Sequence, residues 1–105
     1  MDDIVRKNML YDFYGELLTD HQKTIYEDAI YQDYSLSELA GQYNISRQGV
    51  HDLLRRCDKI LEGYEDKLHL VERFLVLKEK ATMIEKMTND DNIRKLAKEM
   101  IEYGI

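Results

Sequence analysis

The 105-residue chain has no proline and no tryptophan, and only two phenylalanines, one cysteine and five glycines. With so few helix breakers and 34% charged residues, the backbone favours helices joined by tight turns, so an all-α fold is expected. One cysteine cannot build a disulfide framework, and Cys57 falls among inward helix positions, where a core thiol belongs. No apolar run approaches the roughly 20 residues that span a bilayer. The start Met1-Asp2-Asp3 is acidic, unlike the basic opening of a secretory signal. A cytoplasmic protein without a membrane span is expected. There is no Gly-rich phosphate loop and no nucleophile beside a base, and His21, His51 and His69 stand on separate segments without a neighbouring ligand. Acidic pairs such as Glu65-Asp66 and Asp90-Asp91 sit at helix starts or turns, where capping accounts for them. The expectation is a non-enzyme with no metal and no cofactor.

What is present is a helix-turn-helix pattern over residues 35–56. Ser35 with Glu38 makes a capping box, Leu39, Ala40 and Tyr43 form the inner face of a short helix, and Asn44 stands where the turn needs a left-handed backbone. Ile45 plugs the turn and Ser46 caps a second helix. Val50, Leu53 and Leu54 point inward in that helix, while Arg47, Gln48, His51, Asp52 and Arg55 point away. The net charge of −6 argues against a protein that coats nucleic acid. Between Arg47 and Lys59, however, four basic residues face two acidic ones, a local balance of +2 on a chain that is otherwise −8. The outward residues Arg47, Gln48, His51 and Arg55 are the expected nucleic-acid contacts, because Arg pairs with guanine and Gln with adenine through two hydrogen bonds. Arg56 and Lys59 fit phosphate positioning. Asp52 would be repelled by phosphate unless it accepts from a cytosine amine.

Around the motif, Val5, Met9, Phe13 and Leu17, with Leu10 and Tyr14 beside them, predict a helix over about Asp3 to Leu18. Thr19 with Gln22 caps a second helix, buried through Ile25, Tyr26, Ala29 and Ile30 and ending near Asp33-Tyr34. The helix that starts at Arg47 continues its stripe through Cys57, Ile60, Leu61 and Tyr64, with Gly63 as a candidate break. Leu70, Phe74, Leu77, Ala81 and Ile84 then step by four and three like the seam of packed helices, with Leu68, Val71 and Leu75 beside them. After a turn at Thr88-Asn89-Asp90, a last helix repeats Ile93, Leu96, Ala97, Met100 and Ile101 and stops before Gly104. The organisation expected is a helix-turn-helix domain over 1–64 and a C-terminal helical hairpin over 65–105. The hairpin docks on the motif domain or on a second copy, and a homodimer is favoured, with Leu70, Phe74, Leu77, Ala81 and Ile84 as its interface. Six of the eight tyrosines gather in the first half of the chain. Base stacking is one reading of them, but with so little other aromatic volume, core and rim packing is the better one.

The runs Leu18-Thr19 to Gln22, Tyr34 to Ala40 and Ile45-Ser46-Arg47 resemble the promoter-reading fourth region of bacterial sigma factors. The longer run Ile45 to Asp52, followed by Leu61-Glu62-Gly63-Tyr64-Glu65 and Lys67-Leu68, resembles the YlxM family over essentially the whole chain. Gly49 and His51 stand where many relatives would carry Ala and Tyr. YlxM-type proteins are short bacterial helix-turn-helix proteins associated with the signal recognition particle, and their genes lie beside those of the particle or its receptor. The resemblance implies a nucleic-acid-binding accessory or regulator of co-translational targeting, with no catalytic role. Its partners would be duplex DNA or the particle's RNA. Two other readings stay open: a transcriptional regulator of duplex DNA, or an adaptor that binds the targeting GTPase through the acidic surface.

Overall fold

The computed structural model describes residues 2–103, so Met1 and Gly104, named above, lie outside the described residues. Six α-helices follow one another: α1 Asp3–Tyr14, α2 Asp20–Tyr31, α3 Leu36–Tyr43, α4 Arg47–Leu68, α5 Leu70–Met87 and α6 Asp91–Tyr103, with a single 3-10 turn at Gly15–Leu17 after α1. The described residues contain no strand and no helix long and apolar enough to cross a membrane. The fold is all-α. The chain divides into two compact units, one ending at Leu68 and the other starting at His69.

In the first unit, α4 is the post against which α1, α2 and α3 pack. Leu10, Tyr11, Tyr14, Leu18, Ile25, Tyr26, Leu39, Val50, Cys57 and Leu61 form the core. The expected stripe on α1 is corrected by this arrangement. Val5 and Leu17 are exposed, and the buried face is turned toward Leu10, Tyr11 and Tyr14. The α-helix also stops at Tyr14 instead of reaching Leu18, because the chain tightens into the 3-10 turn at Gly15. That glycine is required by space: a Cβ there would lie 2.8 Å from ring carbons of Tyr11.

The tyrosines can be buried because their hydroxyls find carboxylates. Tyr11 donates to Glu27 and Tyr43 to Asp28, while Tyr14 donates to Glu65 at 2.6 Å, Tyr26 to Asp58 at 2.7 Å and Tyr31 to Asp12 at 3.3 Å. A buried hydroxyl without such a partner is costly, so the pairs of Tyr11, Tyr14 and Tyr26 let the core use tyrosine for aromatic volume, while Tyr31 and Tyr43 sit at its rim. The rings also pack on one another. Tyr11 stacks on Tyr26 with centroids 5.5 Å apart, and Tyr14 on Tyr64 at 5.9 Å.

Helix ends follow their capping residues. Thr19–Gln22 and Ser35–Glu38 are both reciprocal capping boxes, with each side chain bonded to the other residue's backbone N–H. α2 stops at Tyr31, short of the expected Asp33-Tyr34, where Asp33 takes a left-handed backbone at φ 56°. α4 runs unbroken through Gly63 to Leu68, so the candidate break there does not occur. The interruption comes at His69, whose left-handed φ of 56° separates α4 from α5 without a glycine.

In the second unit α5 and α6 form a hairpin. The side chain of Asp90 accepts from the N–H of Asn92 at 2.8 Å and of Ile93 at 3.3 Å, which caps α6 in the expected turn. Ala81 on α5 and Ala97 on α6 are both 1% exposed. Small side chains at these positions let the two backbones approach closely.

Candidate nucleic-acid interface

The site begins with the turn between α3 and α4. Asn44 takes the left-handed conformation at φ 55° and ψ 45°, and a short polar side chain tolerates that conformation better than a branched one. The N–H of Ile45 bonds back to the carbonyl of Ala40 at 3.1 Å, and its half-buried side chain fills the turn. Ser46 then accepts from the N–H of Gly49 at 2.9 Å, which caps α4. A Cβ on Gly49 would sit 3.1 Å from that Ser46 oxygen, so glycine leaves the cap unpressed.

The inward face of α4 is anchored twice over. Val50, Cys57 and Leu61 are wholly buried, and burial pushes the Cys57 thiol up to about 11, so at neutral pH it is a protonated and unreactive packing group. Beside them runs a row of acidic side chains that hold the neighbouring helices. Asp58 accepts from Tyr26 and lies 3.5 Å from Lys7. Glu62 takes both arms of the Arg6 guanidinium at 2.7 Å, and Glu65, 6% exposed, accepts from Tyr14. The Arg6 hydrogen bond holds the Glu62 carboxyl below the usual carboxylate range and raises the guanidinium in turn. Sequence reasoning assigns no role to Asp58 and Glu62, and its placing of Glu65-Asp66 at a helix start or turn is corrected: Glu65 lies inside α4, buried, and binds Tyr14 instead of capping a helix. The 4-3 spacing of Asp58, Glu62 and Glu65 beside the Cys57 and Leu61 stripe is the available signal for an inward acidic row.

The outward face carries all seven predicted contact residues: Arg47, Gln48, His51, Asp52, Arg55, Arg56 and Lys59 are exposed. They extend along about 18 Å of helix, at 1.5 Å per residue. Leu36, Arg47, Gln48 and His51 line one shallow depression at the start of α4, and Asp52, Arg55, Arg56 and Lys59 line a second further along. Among the described residues, Arg47, Arg55, Arg56 and Lys59 make no intramolecular ion pair, whereas Arg6, Lys7 and Lys23 all do. Four unpaired cations therefore lie together along the outer half of α4. Asp52, in the lining of the second depression, accepts from the Gln48 amide at 2.9 Å and lies 3.6 Å from His51 Nδ1. It orders these two side chains and lowers the local positive charge. No cluster able to hold a metal ion occurs among the described residues.

The predicted assembly residues are placed differently from one another. Phe74 and Ala81 are buried, at 6% and 1% exposure, while Leu70, Leu77 and Ile84 remain 40%, 60% and 40% exposed.

Comparison with known proteins agrees with this geometry. The family model described as "Putative helix-turn-helix protein, YlxM / p13 like" (UPF0122) matches residues 1–103. A UPF0122 protein of Thermoanaerobacter sp. (strain X514) is 47% identical over 85 residues, covering 81% of this chain and 73% of the relative. UPF0122 proteins of Oceanobacillus iheyensis and Staphylococcus epidermidis are 40% and 42% identical over 96 and 91 residues. The first match covers 89% of both chains, the second 87% of this chain and 83% of the relative.

Proposed function

The chain belongs to the UPF0122 family of YlxM/p13-like helix-turn-helix proteins, and from that premise we propose that the outward face of α4 binds nucleic acid in the service of the signal recognition particle pathway. The role is one of binding and regulation, not catalysis, and its place is the cytoplasm, where co-translational targeting begins. The observation that carries the binding step is the set of four unpaired, exposed cations, Arg47, Arg55, Arg56 and Lys59, on the free side of the motif's second helix. In helix-turn-helix proteins that side faces the ligand. Arg47, Gln48, His51 and Arg55 then read bases, Asp52 positions Gln48 and His51, and Arg56 and Lys59 hold the backbone. The pathway assignment is supported by the resemblance to YlxM-type proteins, and the particle's RNA is the leading ligand. Duplex DNA from the protein's own operon is the alternative, which would make the protein a transcriptional regulator.

A second reading is favoured by a specific feature. The three helices before the motif's second helix carry six acidic and three basic side chains, and such a surface complements the basic RNA-binding region of the targeting GTPase. One titration separates these readings. The protein is mixed with the particle's RNA, the operon duplex and the purified GTPase at two salt concentrations. The expected result is tight RNA binding that weakens steeply with salt and falls in Arg47→Ala and Arg55→Ala. Preference for the duplex transfers the function to transcription. GTPase binding that is indifferent to both substitutions, with no nucleic-acid affinity, establishes the adaptor.

A further inference from the structure

The side chains of Gln48 and Asp52 bind each other on the face that holds the free cations. Both are exposed, and the Gln48 amide nitrogen donates at 2.9 Å to Asp52 Oδ1, one helical turn further on. A carboxylate accepts hydrogen bonds and does not donate them, so this contact fixes which end of the amide is nitrogen and which is oxygen. No other hydrogen bond of the Gln48 side chain occurs among the described residues. What Gln48 presents to a ligand is therefore one carbonyl oxygen and one N–H side by side, an acceptor next to a donor. The amide stands at the second position of α4 and lines the depression that Leu36, Arg47 and His51 complete. In helix-turn-helix proteins the first residues of the second helix are the ones that reach base edges.

We propose that Asp52 makes Gln48 selective for adenine, read at its N6 and N7 atoms. This selectivity rests on the proposed nucleic-acid role of the α4 face and names the base that the face prefers. On that edge adenine offers an N–H donor beside an acceptor, the complement of what the held amide presents. Guanine offers two acceptors there, N7 and O6. Serving both would take both N–H groups of the amide, which strips Asp52 of its bond and turns its carboxylate toward two acceptors. Thymine and cytosine each meet only one half of the amide. Asp52 is thus a positioning residue, acting on the base through Gln48. It otherwise works against binding, since a carboxylate among Arg47, Arg55 and Arg56 weakens the attraction for phosphate, and selectivity is what offsets that loss. The N6 and N7 edge of adenine is open in the major groove of duplex DNA and on an unpaired adenine of an RNA loop, so the same chemistry serves either ligand.

The test is selection of preferred ligands by the full chain from two probes, a randomised DNA duplex pool and a pool of RNA hairpins with randomised loops. Wild type, Gln48→Ala and Asp52→Ala are compared, and both variants are expected to keep their helical circular dichroism because both side chains are exposed. The wild type is expected to enrich a position where adenine is preferred to guanine by roughly 5- to 150-fold, and the pool in which it does so identifies the source of the adenine. Gln48→Ala loses the preference at that position and keeps those at positions read by arginine. Asp52→Ala binds more tightly, because a negative charge has gone, yet its preference for adenine drops below about fivefold. Putting 7-deazaadenine at that position removes only the N7 acceptor, and is expected to weaken the wild type while leaving Gln48→Ala unmoved. An Asp52→Ala variant that binds more tightly with its adenine preference intact overturns the proposal, because Asp52 would then act only as a repelling charge. Binding without base preference overturns it too and leaves the nucleic-acid role of α4 standing. Failure to bind either pool removes that role, and the proposal with it.

Discussion

Replacing Tyr14 with phenylalanine deletes one oxygen from the centre of the motif unit. Tyr14 is 1% exposed, and its hydroxyl donates at 2.6 Å to Glu65, which is 6% exposed on α4. The ring and its stacking on Tyr64 survive the change, and the hydrogen bond to a carboxylate that is lost is worth about 1.5–3 kcal/mol. For a unit of this size each kcal/mol moves the midpoint by about 4–8 °C, so Tyr14→Phe is expected to melt roughly 10 °C lower. Urea unfolding followed by circular dichroism gives the free energy directly, and Glu65→Leu completes a double-mutant cycle. The two single variants are each expected to lose about 2 kcal/mol or more, and the double variant less than their sum, because replacing both partners removes the stranded polar group. A Tyr14→Phe cost below about 0.5 kcal/mol, or strict additivity in the cycle, would show that the pair is not coupled and that α4 is held by apolar packing alone.

Other consequences can be checked as simply. Burial, reinforced by hydrogen bonds from their hydroxyls to Asp58 and Glu27, raises the Tyr26 and Tyr11 phenols well above their ordinary value of 10, and the Asp28 hydrogen bond pushes Tyr43 up to about 12. A raised folded-state value means that this stability is complete below about pH 10 and is lost as pH climbs beyond it. Absorbance titration should therefore show these phenols ionising together with loss of helix, and ionisation near the ordinary phenol value in a fully helical protein would contradict the burial argument. Glu62 works in the opposite direction: its lowered value gives stability that is present above the ordinary carboxylate range and lost as pH falls through the folded-state value. Arg6→Met should flatten that acid limb of the pH-stability curve. Gly63 lies inside α4, and a Cβ at that position would meet nothing within 4 Å, so Gly63→Ala should stabilise the protein by about 0.5–1 kcal/mol in urea unfolding.

Much of the architecture is legible in the sequence because local chemistry sets it. The two capping boxes, the left-handed Asn44 and the Ser46 cap are short-range devices, and residues a few positions apart suffice to recognise them. The exposed face of α4 is legible for a similar reason, since a helix whose inward residues are known leaves little choice for its outward ones. The errors come from long-range partners. On α1, apolar character alone places Val5 and Leu17 inside and overlooks Tyr11, because the acceptor that lets Tyr11 be buried is Glu27 on another helix. The structural duty of Asp58, Glu62 and Glu65 is hidden in the same way, with partners more than thirty residues away. The break at His69 carries no glycine or proline, so nothing in the residue types announces it.

The five tyrosine–carboxylate pairs give the molecule an optical property. With no tryptophan in the chain, its near-ultraviolet emission comes from phenol rings, and a phenol bonded to a carboxylate surrenders its proton in the excited state and goes dark. The native protein should therefore glow faintly and brighten as it unravels, which lets the first unit report on its own integrity without any added dye.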